Sequence, residues 1–496
     1  MVTRIAIIAV ALLAVLATPI LLRPTEPGLE QNADARLVII TPHNQTIRRV
    51  FSEAFARHIY ETTGQRIYID WRVPGGTSEV RTMLNSEFSA ADERGRESVG
   101  IDLFFGGGSF DFDQQAGRGQ LVPSRIFQDQ QELFASGIVP ASHTGELYYH
   151  PEGLWTGVCL SSFGIVSNLA ECAALGLENP PSRWVDLADP RLVGRIALAD
   201  PTKSGSVNKA FEMIIQEIMQ RELAAVPDDI EDRERRRQAA LSDGWRQGLQ
   251  LIQRIGANAR YFTDSSVQIP LDVAQGNAAA GMAIDFYGRT YEELYRNADG
   301  SPRLLYVTPE GGSSISTDNI ALLRGAPNHE LAEAFIAFCL SLDGQRLWNT
   351  RRDAPHGPPH ALRRLPLRTD MYTPDELQWF SDPDALPYER AGGFTYRAEL
   401  TAPAFGALAL IIRSMCLDSQ DELKEAWRAL IEADFPPQAT RVFEDVANVS
   451  YDNAMGSIRD TLRQRDRIAT SELQRRLVSE FRRNYRQAAT LARQGL

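Results

Sequence analysis

A chain of 496 residues with 43% apolar and 23% charged residues can bury the cores of two or three domains, which excludes a disordered or collagen-like polymer. Its formal net charge of -12 and pI near 5.3 argue against nucleic acid as a partner and against an anionic membrane surface. An anionic ligand would need a locally positive site inside this acidic protein.

Residues 1–23 stand apart. Arg4 precedes an apolar run over 5–17, and Thr18, Pro19 and a short run to Leu22 follow. A positive start, an apolar middle and a small Ala17 with Val15 two before it describe a secretory signal peptide cleaved after Ala17; the run to Leu22 equally suits an uncleaved N-terminal anchor. No cysteine precedes Cys159, which rules out a lipid-modified cysteine just after this segment, and no later segment is expected to cross a membrane.

After a polar linker, residues 37–40 form a short apolar strand ended by Thr41, Pro42, His43 and Asn44. The spacing of Ile47, Val50, Phe51, Phe55 and Ile59 predicts a helix next. A strand over 67–73 ends in Pro74, Gly75, Gly76, Thr77 and Ser78 before a helix through Val80, Met83 and Leu84. A third strand, 101–105, runs into Gly106, Gly107, Gly108 and Ser109. Strand and helix in alternation predict a parallel sheet with helical crossovers, whose carboxyl edge is where ligands sit. Residues 153–168 read as one long extended segment, followed by a helix over 169–175.

The stretch 196–211, IALADPTKSGSVNKAF, reads as strand, turn and helix. Asp200 and Pro201 end the strand, and Thr202, Lys203, Ser204, Gly205 and Ser206 open a helix with Val207, Ala210, Phe211, Ile214, Ile215 and Ile218 on one face. Its free N–H groups, two hydroxyls and an ammonium suit an anion; an ordinary capped helix with a solvated lysine is the other reading. Beyond it lie a charged insertion at 228–238, a helix carrying Trp245, Leu249 and Ile252, strands at 261–267 and 280–287, and a short helix between them at 273–276. Strands at 304–308 and 319–323 precede an amphipathic helix over 330–348. The last 125 residues are mainly helical, the final helix setting Leu473, Leu477, Phe481, Tyr485, Ala488 and Leu491 against an arginine-rich face read as solvated.

Four scattered cysteines fit neither a disulfide scaffold nor a CxxC zinc site; a Cys339–Cys416 bridge and buried free thiols are the two readings. No GxSxG, HExxH or GxxxxGK[ST] motif occurs, and His356 with His360 encloses Gly357, Pro358 and Pro359, which forbid a helical metal pair. No catalytic residue, metal or cofactor is assigned.

With these pieces in order the chain resembles the bacterial extracellular solute-binding proteins of ABC importers, within the branch holding ferric-ion, sugar-phosphate and phosphonate binders. LVIITPHN at 37–44, DLFFGGGSFDF at 102–112, GLWTGVCLSSFGIVSN at 153–168, WVDLADPRLVGRIALADPTKSGS at 184–206, DVAQGNAAAGMAID at 272–285 and the helix pattern at 326–348 carry the resemblance, over about 37–430. It implies a type II two-lobed periplasmic-binding-protein fold, each lobe an α/β sheet with helices on both faces, closing around ligand by a hinge. The first lobe would be 36–152 with 308–362, the second 153–307 with 363–430, and 431–496 a C-terminal helical extension. Ferric-binding relatives hold metal through two adjacent tyrosines, where this chain reads Asp285, Phe286, Tyr287 and so keeps one phenol.

The expected function is therefore a non-enzymatic, exported, monomeric receptor that captures a small anionic, phosphate-bearing solute and delivers it to an ABC permease. A ferric-ion carrier, a secreted hydrolase and a sensory subunit are the alternatives. The expected ligand contacts are Thr41, His43, Asn44, Gly75, Gly76, Thr77, Gly107, Gly108, Trp155 as an apolar wall, 202–206, Asp264 and Asp285 as acceptors from ligand hydroxyls, and Tyr287.

Overall fold

Leu37, Val38, Ile39 and Ile40 are buried on both faces of strand β1 (Ala35–Ile40), as a continuous apolar run in a helix-covered sheet must be. The computed structural model describes residues 32–227, 232–355, 357–389 and 393–496. The signal peptide or anchor at 1–23, part of the charged insertion, and His356 fall outside them.

Helix α1 (Gln45–Thr63) opens on Asn44, whose side chain accepts from the Ile47 N–H, and buries the predicted face of Ile47, Val50, Phe51, Phe55 and Ile59. Strands β2 (Ile67–Arg72) and β3 (Leu103–Phe105) both pair with β1 in parallel, and helices α2 (Thr77–Glu93) and α3 (Ser109–Ala116) follow them. A short strand β4 (Leu121–Val122) and a hairpin of β5 (Ser142–His143) and β6 (Glu146–Leu147) come next. The extended segment expected over 153–168 is two strands in different sheets. Strand β7 (Thr156–Ser161) joins the first sheet, and β8 (Phe163–Asn168) joins the second.

The second sheet has the order β10-β9-β11-β8-β12, built from β9 (Ile196–Ala199), β10 (Ala259–Thr263), β11 (Ala280–Ile284) and β12 (Leu304–Val307) with β8. Helices α4 (Gly205–Ala224) and α5 (Arg233–Asn258) lie between β9 and β10. The strand expected to run to 287 stops at Ile284, and Asp285 opens helix α6 (Asp285–Leu294). Strand β13 (Ser316–Leu323) returns to the first sheet, whose order is β14-β7-β13-β3-β1-β2 with β4 also on β13 and β14 spanning Leu365–Pro366.

The chain thus passes between sheets at Ser162 and again between β12 and β13. This corrects the expected lobe limits: Thr156–Ser161 and Leu365–Pro366 pair within the first sheet, not the second. A third passage runs through Tyr396, whose N–H donates to Thr144 beside the β5–β6 hairpin at 2.8 Å, while Gln220 of α4 donates to the Thr395 carbonyl at 2.9 Å. The expected helix over 330–348 is two, α7 (His329–Leu340) and α8 (Leu342–Asn349), because the Ser341 hydroxyl caps the second by accepting from the Gly344 N–H.

The C-terminal helices pack against α5. Trp245 donates to the Val449 carbonyl, Gln253 to that of Phe443, and Trp427 to Asn258. Among them are α9 (Phe405–Ile412), α10 (Gln420–Glu432), α11 (Arg459–Arg463) and α12 (Arg467–Arg493). The arginine face of α12 is partly paired: Arg486 reaches Glu422, and Arg493 reaches Glu425, both on α10. Contrary to expectation, Ala398–Leu417 is long and apolar enough to cross a membrane, with a mean hydropathy of 1.7, but 72% of that window is buried in protein. Cys159, Cys172, Cys339 and Cys416 are all free and buried, which excludes the Cys339–Cys416 bridge; Cys339 lies on α7 beside the first sheet, whereas Cys416 lies against Gly256 of α5.

Candidate functional site

Each strand of the first sheet that runs in parallel ends in a turn facing the second lobe. Gly75 takes a φ of 149° and Gly107 one of 119°, values that side-chain-bearing residues rarely adopt. Gly76 and Gly108 then cap α2 and α3 without any side-chain hydrogen bond, so the first N–H groups of both helices remain free for a ligand. Across the gap, Ser204 caps α4 by accepting from the Val207 N–H. The lobes meet here: a Cβ on Gly76 would stand 2.8 Å from the Lys203 carbonyl oxygen, and one on Gly205 would stand 2.6 Å from Thr77 Oγ1.

The cleft enclosed by these turns has a volume of about 1040 Å³. It is lined by His43, Asn44, Gly75, Gly76, Thr77, Gly107, Gly108, Lys203, Ser204, Gly205, Ser206, Asp264 and Tyr287 among the expected residues. Four expected residues lie elsewhere. Thr41 is fully buried and accepts from the His43 N–H. Trp155 sits in a core under the first sheet, donating to Asp113 at 2.8 Å. Thr202 turns to Asp200, to which its hydroxyl donates at 2.6 Å, and accepts from Arg413. Asp285 is fully buried outside the cleft lining, accepting from the Phe286 N–H and pairing with Arg289 at 2.8 Å.

Asp318 of β13 organises the cleft floor. It accepts from the Gly107 N–H at 3.1 Å, from His43 Nε2 at 3.2 Å, and from Arg364. Arg364 is buried over the Phe286 ring, 4.3 Å from its centroid, and its Nε has no partner; neither has His43 Nδ1. Burial, then the charges of Arg364 and Arg48, hold the His43 pKa well below its ordinary value. His43 is therefore neutral in the folded protein at pH 7, whereas an unfolded histidine takes up a proton near pH 6.5. This contribution to stability is present above about pH 6.5 and is lost as the pH falls below it. His43→Gln, which keeps a donor toward Asp318, is expected to flatten the fall in melting temperature between pH 7 and pH 5; parallel profiles would assign that fall to other groups.

At the other end of the cleft, Lys209 pairs with Glu146 and Glu212, each at 3.0 Å, and lies 3.4 Å above the centre of the Tyr396 ring. Burial alone would lower the Lys209 pKa, but the two carboxylates outweigh it and the ammonium is held charged above its ordinary range. Glu146 stands on the separate β5–β6 hairpin, and Lys209 and Glu212 on α4. Lys203 donates to Asp264 at 2.7 Å near the rim, where Asp264 is largely in water and Lys203 partly so. Arg81 pairs with Asp111 at 2.6 Å. Removing such pairs from the lining leaves the guanidiniums of Arg118, Arg463 and Arg465 against the carboxylates of Glu79 and Asp113, and burial raises the Asp113 pKa.

Tyr287 accepts from Asn44 across the lobes at 3.5 Å, and burial raises its pKa. Among the described residues no group of three or more His, Cys, Asp or Glu is placed to hold a metal ion. Sequence reasoning missed Asp318, Arg364 and the residues of the C-terminal extension. It also missed Lys209, although its place four residues after Gly205 on the same helix was a usable signal.

Two sheets exchanging strands through short crossings and closing on a polar cleft define a two-lobed ligand-binding protein. The chain belongs to the bacterial extracellular solute-binding protein family, whose profile matches residues 98–376. This is a family of non-enzymatic, extracellular or periplasmic binding proteins. An uncharacterized Haemophilus influenzae protein is 25% identical over 271 residues, covering 55% of this chain and 67% of its own. The Salmonella typhimurium protein PgtC, named a phosphoglycerate transport regulatory protein, is 24% identical over 220 residues, covering 44% of this chain and 47% of its own, so the chain spans about half of that relative. Among solved structures, a Bordetella parapertussis protein described as an extracellular solute-binding protein aligns over 77% of this chain and 99% of its own, at 14% identity and a TM-score of 0.50. The periplasmic binding protein AfuA of Actinobacillus pleuropneumoniae, with fructose-6-phosphate bound, aligns over 64% of this chain and 82% of its own, at 21% identity and a TM-score of 0.47.

Proposed function

We propose that this protein is the soluble receptor of an ABC importer, capturing a small anionic, phosphate-bearing solute between its lobes and delivering it as a monomer to the permease. One observation carries the reading: two uncapped, glycine-led helix starts, at Gly76 and Gly108, share a closed cleft with guanidiniums that have no carboxylate partner. Free N–H groups and arginines are donors only, and a phosphate offers acceptors in every direction. The buried, partnerless Nε of Arg364 adds a further donor at the cleft floor. The relative named for phosphoglycerate transport supports the same solute class.

Glu79 tempers the geometry and refines it. It curls back beside Gly75 and Gly76, so a carboxylate already shadows the start of α2. The solute's phosphate is therefore assigned to the uncapped start of α3 after Gly108, the Gly107 N–H being already given to Asp318.

Thermal unfolding of the purified chain with glycerol 3-phosphate, 3-phosphoglycerate, fructose 6-phosphate, methylphosphonate and succinate tests this reading. A solute at a hundred times its dissociation constant is expected to add about 2.7 kcal/mol of stability. A phosphate-bearing compound should give the largest shift; a succinate shift alone would replace phosphate by carboxylate, and no shift with any anion would overturn the assignment.

A further inference from the structure

The C-terminal extension does more than pad the second lobe. The left-handed backbone at Arg465, with φ 57°, turns the chain between α11 and α12, and Arg463 and Arg465 line the same cleft as the glycine turns. They stand beside an aromatic bridge across the cleft: Phe110 of α3 and Phe405 of α9 lie 4.5 Å apart between ring centroids. Arg81 lies over Phe110 at 5.3 Å, and Leu462 of α11 reaches to within 4.0 Å of where a Cβ on Gly406 would lie.

On the first-lobe side, Arg118 follows α3. Its Nε is buried without a hydrogen-bond partner, and its guanidinium is destabilised by burial and by the charges of Arg465 and Arg81. Among the described residues Arg118, Arg463 and Arg465 have no ion pair, whereas their neighbour Arg81 is answered by Asp111. Glu79 and Asp113 share the lining but pair with none of the three, and like charges gathered from both sides of a closing cleft repel one another unless an anion lies between them.

Resting on the proposed anion-binding role, we infer that the extension completes the solute site: Arg118, Arg463 and Arg465 bind a second anionic group, so the preferred solute carries two. The first group meets the α3 start, and the second meets guanidinium forks contributed by both lobes. Binding of the second group then draws the extension toward Arg118 and couples solute charge to closure. A solute with one anionic group leaves the arginine repulsion in place.

Two matched probe pairs test this by titration calorimetry on the full chain: glycerol 3-phosphate against 3-phosphoglycerate for a short span, and fructose 6-phosphate against fructose 1,6-bisphosphate for a longer one. The wild type is expected to favour the two-anion member of at least one pair by tenfold or more. In Arg463→Ala/Arg465→Ala, whose positions are solvent-exposed, that preference should collapse to within twofold while the melting temperature without probe stays within 2 °C. Should the double variant unfold early, Arg465→Gln alone, with raised salt as a second measure, decides the matter: the two-anion preference must fall with each. A preference retained in the variants, or equal binding of both members by the wild type, overturns this inference and leaves the anion receptor standing. If neither member of either pair binds the wild type, both readings fall together.

Discussion

Lys209→Met is expected to destabilise the protein by about 3–5 kcal/mol, the usual cost of removing one partner from a buried ion pair. The substitution keeps the volume and removes the charge, so the loss falls on what remains. Glu146 and Glu212, at 3% and 0% exposure, would be left as buried carboxylates without a cation. Neither can swing out to water, since Glu146 accepts from Ser314 at 2.6 Å, and Glu212 accepts from Thr401 at 2.6 Å and from Tyr396 at 3.0 Å. Because Glu146 on the β5–β6 hairpin and Lys209 on α4 both line the cleft, the same variant should also widen it. Denaturant unfolding gives the first quantity and small-angle scattering the second. Adding Glu146→Gln to Lys209→Met should restore part of the stability by neutralising one orphaned charge. A loss under 1 kcal/mol would mean that the pair is solvated and the lobes are not held there.

Gly76→Ala is expected to weaken solute binding at least tenfold, about 1.4 kcal/mol. The backbone at Gly76 has φ -74° and ψ -176°, which alanine adopts without strain, so the first lobe can still fold. Its methyl group would stand 2.8 Å from the Lys203 carbonyl oxygen on the other lobe. That carbonyl sits on a turn tied down by the Ser204 cap and by bonds from the Lys203 and Ser204 N–H groups to Asp200. The lobes must separate to admit the methyl, and the solute loses contacts on one side. Lys203→Ala keeps the carbonyl and removes an ammonium already engaged by Asp264, so it should leave closure intact. Calorimetry on the three proteins checks the pair of statements. Equal affinity in Gly76→Ala and wild type would show that the bound form does not close at this contact.

The parallel part of the first sheet was legible because strand and helix periodicities alternate there without interruption. Turn residues mark each strand end, and the apolar face of α1 comes out residue by residue. The 153–168 segment was not separable by pattern: Thr156–Ser161 and Phe163–Asn168 are buried throughout and differ only in which sheet they join. That choice is made by β13 and β11, more than a hundred residues away. Asp285 was misread for a related reason. A carboxylate after a strand suits a ligand and suits a helix start alike, and only the fold brings Arg289 one turn on to claim it. Asp318 and Arg364 carried no local signal at all. Asp318 matters because it meets His43 and the Gly107 N–H, more than two hundred residues away along the chain, and Arg364 because it pairs with Asp318.

The place of β13 in the first sheet has a consequence for how the chain comes to be folded. Strands β7 and β3 both pair with it and not with each other, so until residue 323 has been made they present bare hydrogen-bonding edges on strands that are buried throughout in the folded protein. A nascent chain in that state is a template for pairing with its neighbours, and closing the sheet demands contacts of long sequence separation. Refolding from denaturant should therefore be slow and concentration-limited. In the cell a holding chaperone has its clearest work on this protein between the synthesis of residue 161 and that of residue 323.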